Sequence, residues 1–232
     1  MRQIVLDTET TGISTKLGHR IIEIGAVEII DRRLTGNTYH QYINPEREVE
    51  EEAYQVHGIS DEFLSTKPVF SQVVEEFIDY IKGSQLVIHN APFDVGFMDH
   101  EFSLVSRLKK KTKDLCGVLD TLVLAKEMRP GQKNNLDALC RAYGIDNSNR
   151  ELHGALLDAE LLAEVYLAMT GGQVSLTFEE SGKQQKGDKI IRLGSDREKS
   201  RIIKASEQEL AQHQKLLQLI EKKSGKDVSG FW

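Results

Sequence analysis

The chain has 232 residues, 39% hydrophobic and 28% charged, with a formal net charge of −6. Those values suit a water-soluble globular protein with room for one full domain and an appendage, and no apolar run approaches a membrane span. The negative balance argues against a protein held on nucleic acid by its own charge alone.

In chain order, apolar and β-branched runs predict strands near residues 3–9, 21–30 and 36–43, an antiparallel meander with Asp31-Arg32-Arg33 inside its second connection. An acidic stretch, Glu46 to Glu52, precedes Val56-His57-Gly58-Ile59. Val73, Val74, Phe77, Ile78 and Ile81 form a helical stripe within 71–81, with Gly83 as its expected stop. Gln85 to Ile88 reads as a short strand, and Pro92 can open a helix carrying Asp94, Phe97, Met98 and Glu101. Arg107 to Lys113 is a basic loop, Leu119-Asp120-Thr121 begins a new element, and helices are expected at 121–128, 135–143 and 155–169. The order implies an α/β sandwich around a five-stranded mixed sheet.

The character changes after Gly171-Gly172. Residues 1–170 hold 18 Lys/Arg against 27 Asp/Glu, whereas residues 171–232 hold 12 against 9. Glu179 to Asp188 has the composition of a flexible linker. Ser206 to Lys223 then places Leu210, Leu216, Leu217 and Ile220 at near-helical spacing, with Ser206 as cap and Glu209 three residues on. Such a segment is too short for its own core and reads as a docking tail. The two cysteines, Cys116 and Cys140, stand in no metal-ligand spacing, and few apolar residues precede Asp7, so free thiols and a cytoplasmic setting are expected.

The chemistry concentrates in three places. Ile4-Val5-Leu6 is a β-rich run, and Asp7 and Glu9 follow at alternate positions, which point to the same side of a sheet. Two carboxylates that close repel unless a cation lies between them, and hard oxygen ligands suit Mg²⁺ or Mn²⁺ better than zinc. A solvated strand end is the alternative for this segment. Asp94, in His89-Asn90-Ala91-Pro92-Phe93-Asp94, falls in the first turn of a helix, where an acid also serves as a dipole-favourable surface group. In His153-Gly154-Ala155-Leu156-Leu157-Asp158, five residues span about 140° of helix turn, so the two polar groups do not share a continuous helical face. Gly154 is the expected helix start, leaving His153 on the preceding loop and Asp158 one turn inside. An imidazole there is suited to taking a proton from water near neutral pH.

Together, Leu6-Asp7-Thr8-Glu9-Thr10-Thr11-Gly12, His89 to Asp94, and His153 with Asp158 resemble the three motifs of the DEDDh exonucleases. Arg20 to Val27, Val56 to Leu64, Asn135 to Cys140 and Leu161 to Gln173 extend the likeness to the proofreading subunits of bacterial replicative polymerases. The resemblance implies a ribonuclease H-like fold over residues 1–172. It implies two divalent cations, one held by Asp7, Glu9 and Asp158 and the other by Asp7 and Asp94, with His153 as general base. It further implies 3′–5′ removal of nucleotides as 5′-monophosphates from a single-stranded or frayed DNA end, with Glu52 and His57 near the terminal nucleotide.

For residues 173–232 the resemblance implies a tail. Gln173-Val174-Ser175-Leu176-Thr177-Phe178 is similar to a sliding-clamp-binding peptide, with Gln173, Leu176 and Phe178 as contacts. The end of the chain, with Phe231 and Trp232, corresponds to the segment that binds the polymerase (alpha) subunit, and a small theta-like accessory subunit is a further expected partner. A stand-alone DEDDh nuclease acting on RNA or DNA 3′ ends, and a silent domain bridging polymerase and clamp, are the competing readings.

Overall fold

A computed structural model of the chain describes residues 1–105, 110–148, 150, 152–171 and 206–224. Gln173 to Phe178, the 179–188 linker, Phe231 and Trp232 lie outside the described residues, as do residues 106–109 of the basic loop.

The central strand β1 (Arg2–Thr10) pairs antiparallel with β2 (Ile21–Ile30), which pairs antiparallel with β3 (Arg33–Tyr42). On its other side β1 runs parallel to β4 (Gln85–Ile88), and β4 runs parallel to β5 (Gly117–Asp120), giving the order β3-β2-β1-β4-β5. The β2–β3 connection is shorter than expected. Only Asp31 and Arg32 turn, both at positive φ (48° and 65°), and Arg33 already pairs with Ile30. Two successive left-handed residues match the twist of a hairpin, so the ladder starts at once. Leu119-Asp120 likewise closes a strand, and the helix begins at Thr121.

Period-two alternation decides which residue faces which layer. Ile4 and Leu6 join Ile24, Ala26, Leu86 and Ile88 in one core, against α3 (Phe70–Ile81) and α4 (Ala91–Leu104). Val5 joins Val27, Ile29 and Val87 in the other, against Leu162, Ala163 and Tyr166 of α8 (Ala155–Gly171). Ile4, Val5 and Leu6 are all fully buried, the signature of a strand covered on both faces.

The remaining helices surround these layers: α1 (Glu51–His57), α2 (Asp61–Ser65), α5 (Thr112–Leu115), α6 (Thr121–Met128) and α7 (Leu136–Tyr143). The helix α3 ends at Ile81, with Lys82 as its cap, and Gly83 takes the left-handed conformation one residue later. The chain divides into two units, Met1–Leu176 and Thr177–Trp232. In the second, α9 (Glu207–Ser224) starts at a reciprocal cap. Ser206 N–H and Oγ donate to Glu209 Oε2 at 2.8 Å, and Glu209 N–H donates to Ser206 Oγ at 3.3 Å. Among the described residues no helix is long and apolar enough to cross a membrane.

Candidate active site

Alternation along β1 also sorts its polar end. Asp7 and Glu9 share the parity of Val5 and so emerge on the α8 layer, while Thr8 shares that of Leu6 and faces the α4 layer. From there Thr8 N–H and Oγ1 donate to Asp94 Oδ1 at 3.1 and 2.7 Å. Asp94 stands in the first turn of α4, which Asn90 opens from a left-handed conformation with Pro92 in the first turn.

The helix α8 reaches the site because β2 carries a glycine. Gly25 pairs with Asp7, and a Cβ at Gly25 would lie 2.1 Å from Leu156 N and 2.4 Å from Ala155 O. No side chain fits there, so the first turn of α8 sits directly on the sheet beside Asp7. Glu23, opposite Glu9, accepts from Ala155 N–H at 3.2 Å and lies 2.7 Å from His40 Nε2. Asp158 follows one turn inside α8, its N–H bonded to Gly154 O at 2.9 Å. His153 precedes the helix on a loop, and its backbone N–H donates to Val56 O of α1 at 3.1 Å.

Asp7, Glu9, Asp94, His153 and Asp158 line one cavity of about 330 Å³, together with Thr8, His89, Phe93, Asp137 and Arg150. Ligand atoms of Glu9, His153 and Asp158 lie within 4.8 Å of one another. Asp94 is 3% and Asp158 4% exposed, whereas the His153 side chain is 46% exposed. A second cavity of about 300 Å³ adjoins the first, since Glu9 and Phe93 line both, and Glu52 and His57 of α1 line it with Thr10, Gly12 and Ile13. Glu52 is exposed and His57 is buried.

The carboxylates are held under electrostatic load. Burial pushes Asp7 well above the usual range, and Asp94, Glu9 and Asp158 push it further. Glu9 is raised to about 8 by burial, then by Asp158 and Glu23. Asp94 is raised to about 7 by burial, against the opposing bonds from Thr8. Burial and the neighbouring Arg150 lower His153 below its ordinary value. Asp7, Glu9 and Asp94, all raised by burial, offer hard oxygen donors to the cavity that Asp158 also lines, a set that fits a divalent cation.

Sequence reasoning missed Arg150. Among the described residues it is the one Lys or Arg lining the first cavity, with its Nε 2.5 Å from Asp158 Oδ1 and its Nη2 2.6 Å from Asp158 Oδ2. Its Nη1 reaches Asp137 Oδ1 at 3.0 Å, and Nη2 lies 2.9 Å from His153 Nδ1. Neither spacing nor composition marks it. The usable signal is charge balance, because several buried acids around one point call for a cation.

Residues 4–166 match the family model described as an exonuclease. The chain is 58% identical over 231 residues to the DNA polymerase III subunit epsilon of Salmonella typhimurium, covering 97% of this chain and 95% of that protein. It is 56% identical to that of Escherichia coli over the same shares, and 52% identical to that of Haemophilus influenzae over 97% and 92%. Among solved structures, exonuclease X in complex with 5′ overhanging duplex DNA superposes with a TM-score of 0.56 at 25% identity, covering 73% of this chain and 91% of that one. A full-length 3′-exonuclease shares the fold, with a TM-score of 0.62 at 20% identity over 72% of this chain and 60% of that one. On this evidence the chain belongs to the exonuclease family and, within it, to the DNA polymerase III epsilon subunits.

Proposed function

We propose that this chain is a 3′–5′ exonuclease that removes mismatched 3′-terminal nucleotides from DNA as 5′-monophosphates, within the bacterial replicative polymerase. The observation that carries the reading is the convergence of four carboxylates and a loop histidine on one cavity, in a chain of epsilon-subunit lineage. Asp7, Glu9 and Asp158 would hold one divalent cation, with Asp94 beside Asp7 contributing to a second. Bound Mg²⁺ or Mn²⁺ supplies acidity to the attacking water and offsets charge developing on the phosphate and the leaving 3′ oxygen.

The side chains supply the rest. His153 accepts the proton of the attacking water, and burial favours the neutral imidazole that this needs. Thr8 holds Asp94 in register with the strand-borne pair. The second cavity takes the terminal nucleotide, where Glu52 accepts a hydrogen bond from the 3′-hydroxyl and so demands a free end. His57 closes the same pocket from the C-terminal end of α1. Selectivity for errors follows from fraying: a mismatched end unpairs more readily, and the site takes unpaired nucleotides.

Residues 1–172 form the nuclease, and residues 173–232 tether it to partners. Gln173, Leu176 and Phe178 engage the sliding clamp, Phe231 and Trp232 anchor the polymerase subunit, and a small theta-like subunit docks as well. Weak intrinsic hold on DNA, expected from the net charge of −6, makes such tethering useful.

The decisive experiment uses DNA labelled at its 5′ end, with the purified chain, Mg²⁺ and the Asp7→Ala variant in parallel. Stepwise shortening from the 3′ end, abolished in the variant and by chelator, is the expected result. No shortening by either protein would overturn the DNA exonuclease reading. Loss of polymerase and clamp capture on removal of residues 171–232 tests the tail.

A further inference from the structure

We infer that Arg150 is an internal counter-cation that competes with the divalent metal for Asp158 and withdraws from that carboxylate when the metal loads. The inference rests on the reading of Asp158 as a metal ligand.

The geometry is that of a closed pair. Both oxygens of Asp158 accept from the guanidinium, at 2.5 and 2.6 Å, in the two-pronged arrangement that makes arginine–carboxylate pairs strong and directional. The Arg150 side chain is 7% and the Asp158 side chain 5% exposed, so solvent screens neither partner well. A divalent cation binds a carboxylate oxygen at about 2.0–2.2 Å, along the lone pairs the guanidinium now uses. The two positive groups also repel at that range. A metal taking those lone pairs therefore displaces the guanidinium from them.

Arg150 has somewhere else to hold. Its Nη1 bonds Asp137 Oδ1 at 3.0 Å, and Asp137 stands on α7, outside the carboxylates assigned to the metals. Asn147 Nδ2 donates to the same Asp137 oxygen at 3.0 Å, which fixes that second anchor. Arg150 can thus release Asp158 while remaining at the cavity. Because Arg150 Nη2 also touches His153 Nδ1, the same displacement frees the general base from its cationic neighbour. Metal loading and release of the base are thereby coupled through one side chain.

The test follows Arg150 directly. In full-length ¹⁵N-labelled protein, the Arg150 Nε–H resonance is identified by its loss in Arg150→Lys and recorded in chelator and through a Mg²⁺ titration, beside calorimetric Mg²⁺ and Mn²⁺ binding. The expected result is a slowly exchanging signal in chelator that shifts and exchanges faster with the same midpoint as metal binding. Arg150→Gln should bind Mn²⁺ about 10-fold more tightly than the parent and melt at lower temperature in chelator, with the melting difference closing at saturating Mn²⁺. Arg150→Lys, which keeps the charge but loses the fork, should fall between the two. Metal that binds normally while the Arg150 signal stays unchanged would overturn the inference and leave the metal assignment standing. Metal binding indifferent to Asp158→Asn would instead remove the reading on which it rests.

Discussion

The floor and the rim of the candidate catalytic cavity are built by different means. Asp7, Glu9, Asp94 and Asp158 all stand on regular elements, two on the central strand and two in the first turns of α4 and α8. His153 and Arg150 stand on the segment before α8, outside any regular element, held by the His153 N–H to Val56 O bond and by the Arg150 side-chain bonds to Asp158 and Asp137. Acids of like charge need a rigid frame, since any relaxation would let them separate. On the proposed reading, His153 and Arg150 exchange partners during loading and turnover, which a segment outside the regular elements permits. The difference teaches that rigidity here follows electrostatic load.

The contrast is most directly broken at the rim. His153→Ala should lower the single-turnover rate by about 10²–10⁴-fold while Mn²⁺ affinity stays within a few fold of the parent. A parallel collapse of metal binding would make His153 part of the floor. On the floor, Thr8→Val removes the hydroxyl that holds Asp94, and should weaken cation binding by about 10-fold, measured by calorimetry. An unchanged affinity would show that its helix and the residue 8 backbone N–H suffice to hold Asp94.

Gly25→Ala tests the frame without touching an acid. The added methyl meets the backbone of Ala155 and Leu156, so α8 must shift, at a cost of about 1–3 kcal/mol in denaturant unfolding. Exonuclease activity should fall with it, because Asp158 moves with the helix. Retained stability would mean that α8 slides freely on β2.

The smallest expected effect is in pH. Glu9 rises from 4.5 to about 8 and Asp94 from 3.8 to about 7, so between those values the folded chain binds more protons than the unfolded one. Stability in chelator is therefore greatest below about pH 4 as far as these groups are concerned, and this contribution is lost as pH rises through about 8. The melting temperature in chelator should decline from pH 5 to 8, and saturating Mg²⁺ should flatten the decline. A profile flat in both conditions would mean that Arg150 already offsets the acids.

Local pattern reached far into this molecule. The β-rich apolar run of β1, the helical stripe of α3, Pro92 at the start of α4 and the Ser206–Glu209 cap of α9 are each set by neighbours a few residues away, and each was legible for that reason. The five-stranded mixed sheet followed from the order of those elements. The short helices α1 and α2 were not legible, because seven and five residues carry too little periodicity to separate from a loop. The two-residue turn at Asp31-Arg32 was missed because neither residue advertises positive φ as glycine does.

By itself the sequence determined the fold class and the motifs that mark the family, since both are written in spacing along the chain. Tertiary structure alone decided how α8 meets the sheet, through a glycine on a different strand. It alone brought the second cavity against the first, and it alone placed the Arg150 guanidinium on Asp158. Each of these joins residues whose partners are chosen by packing in space, and no local pattern encodes that choice.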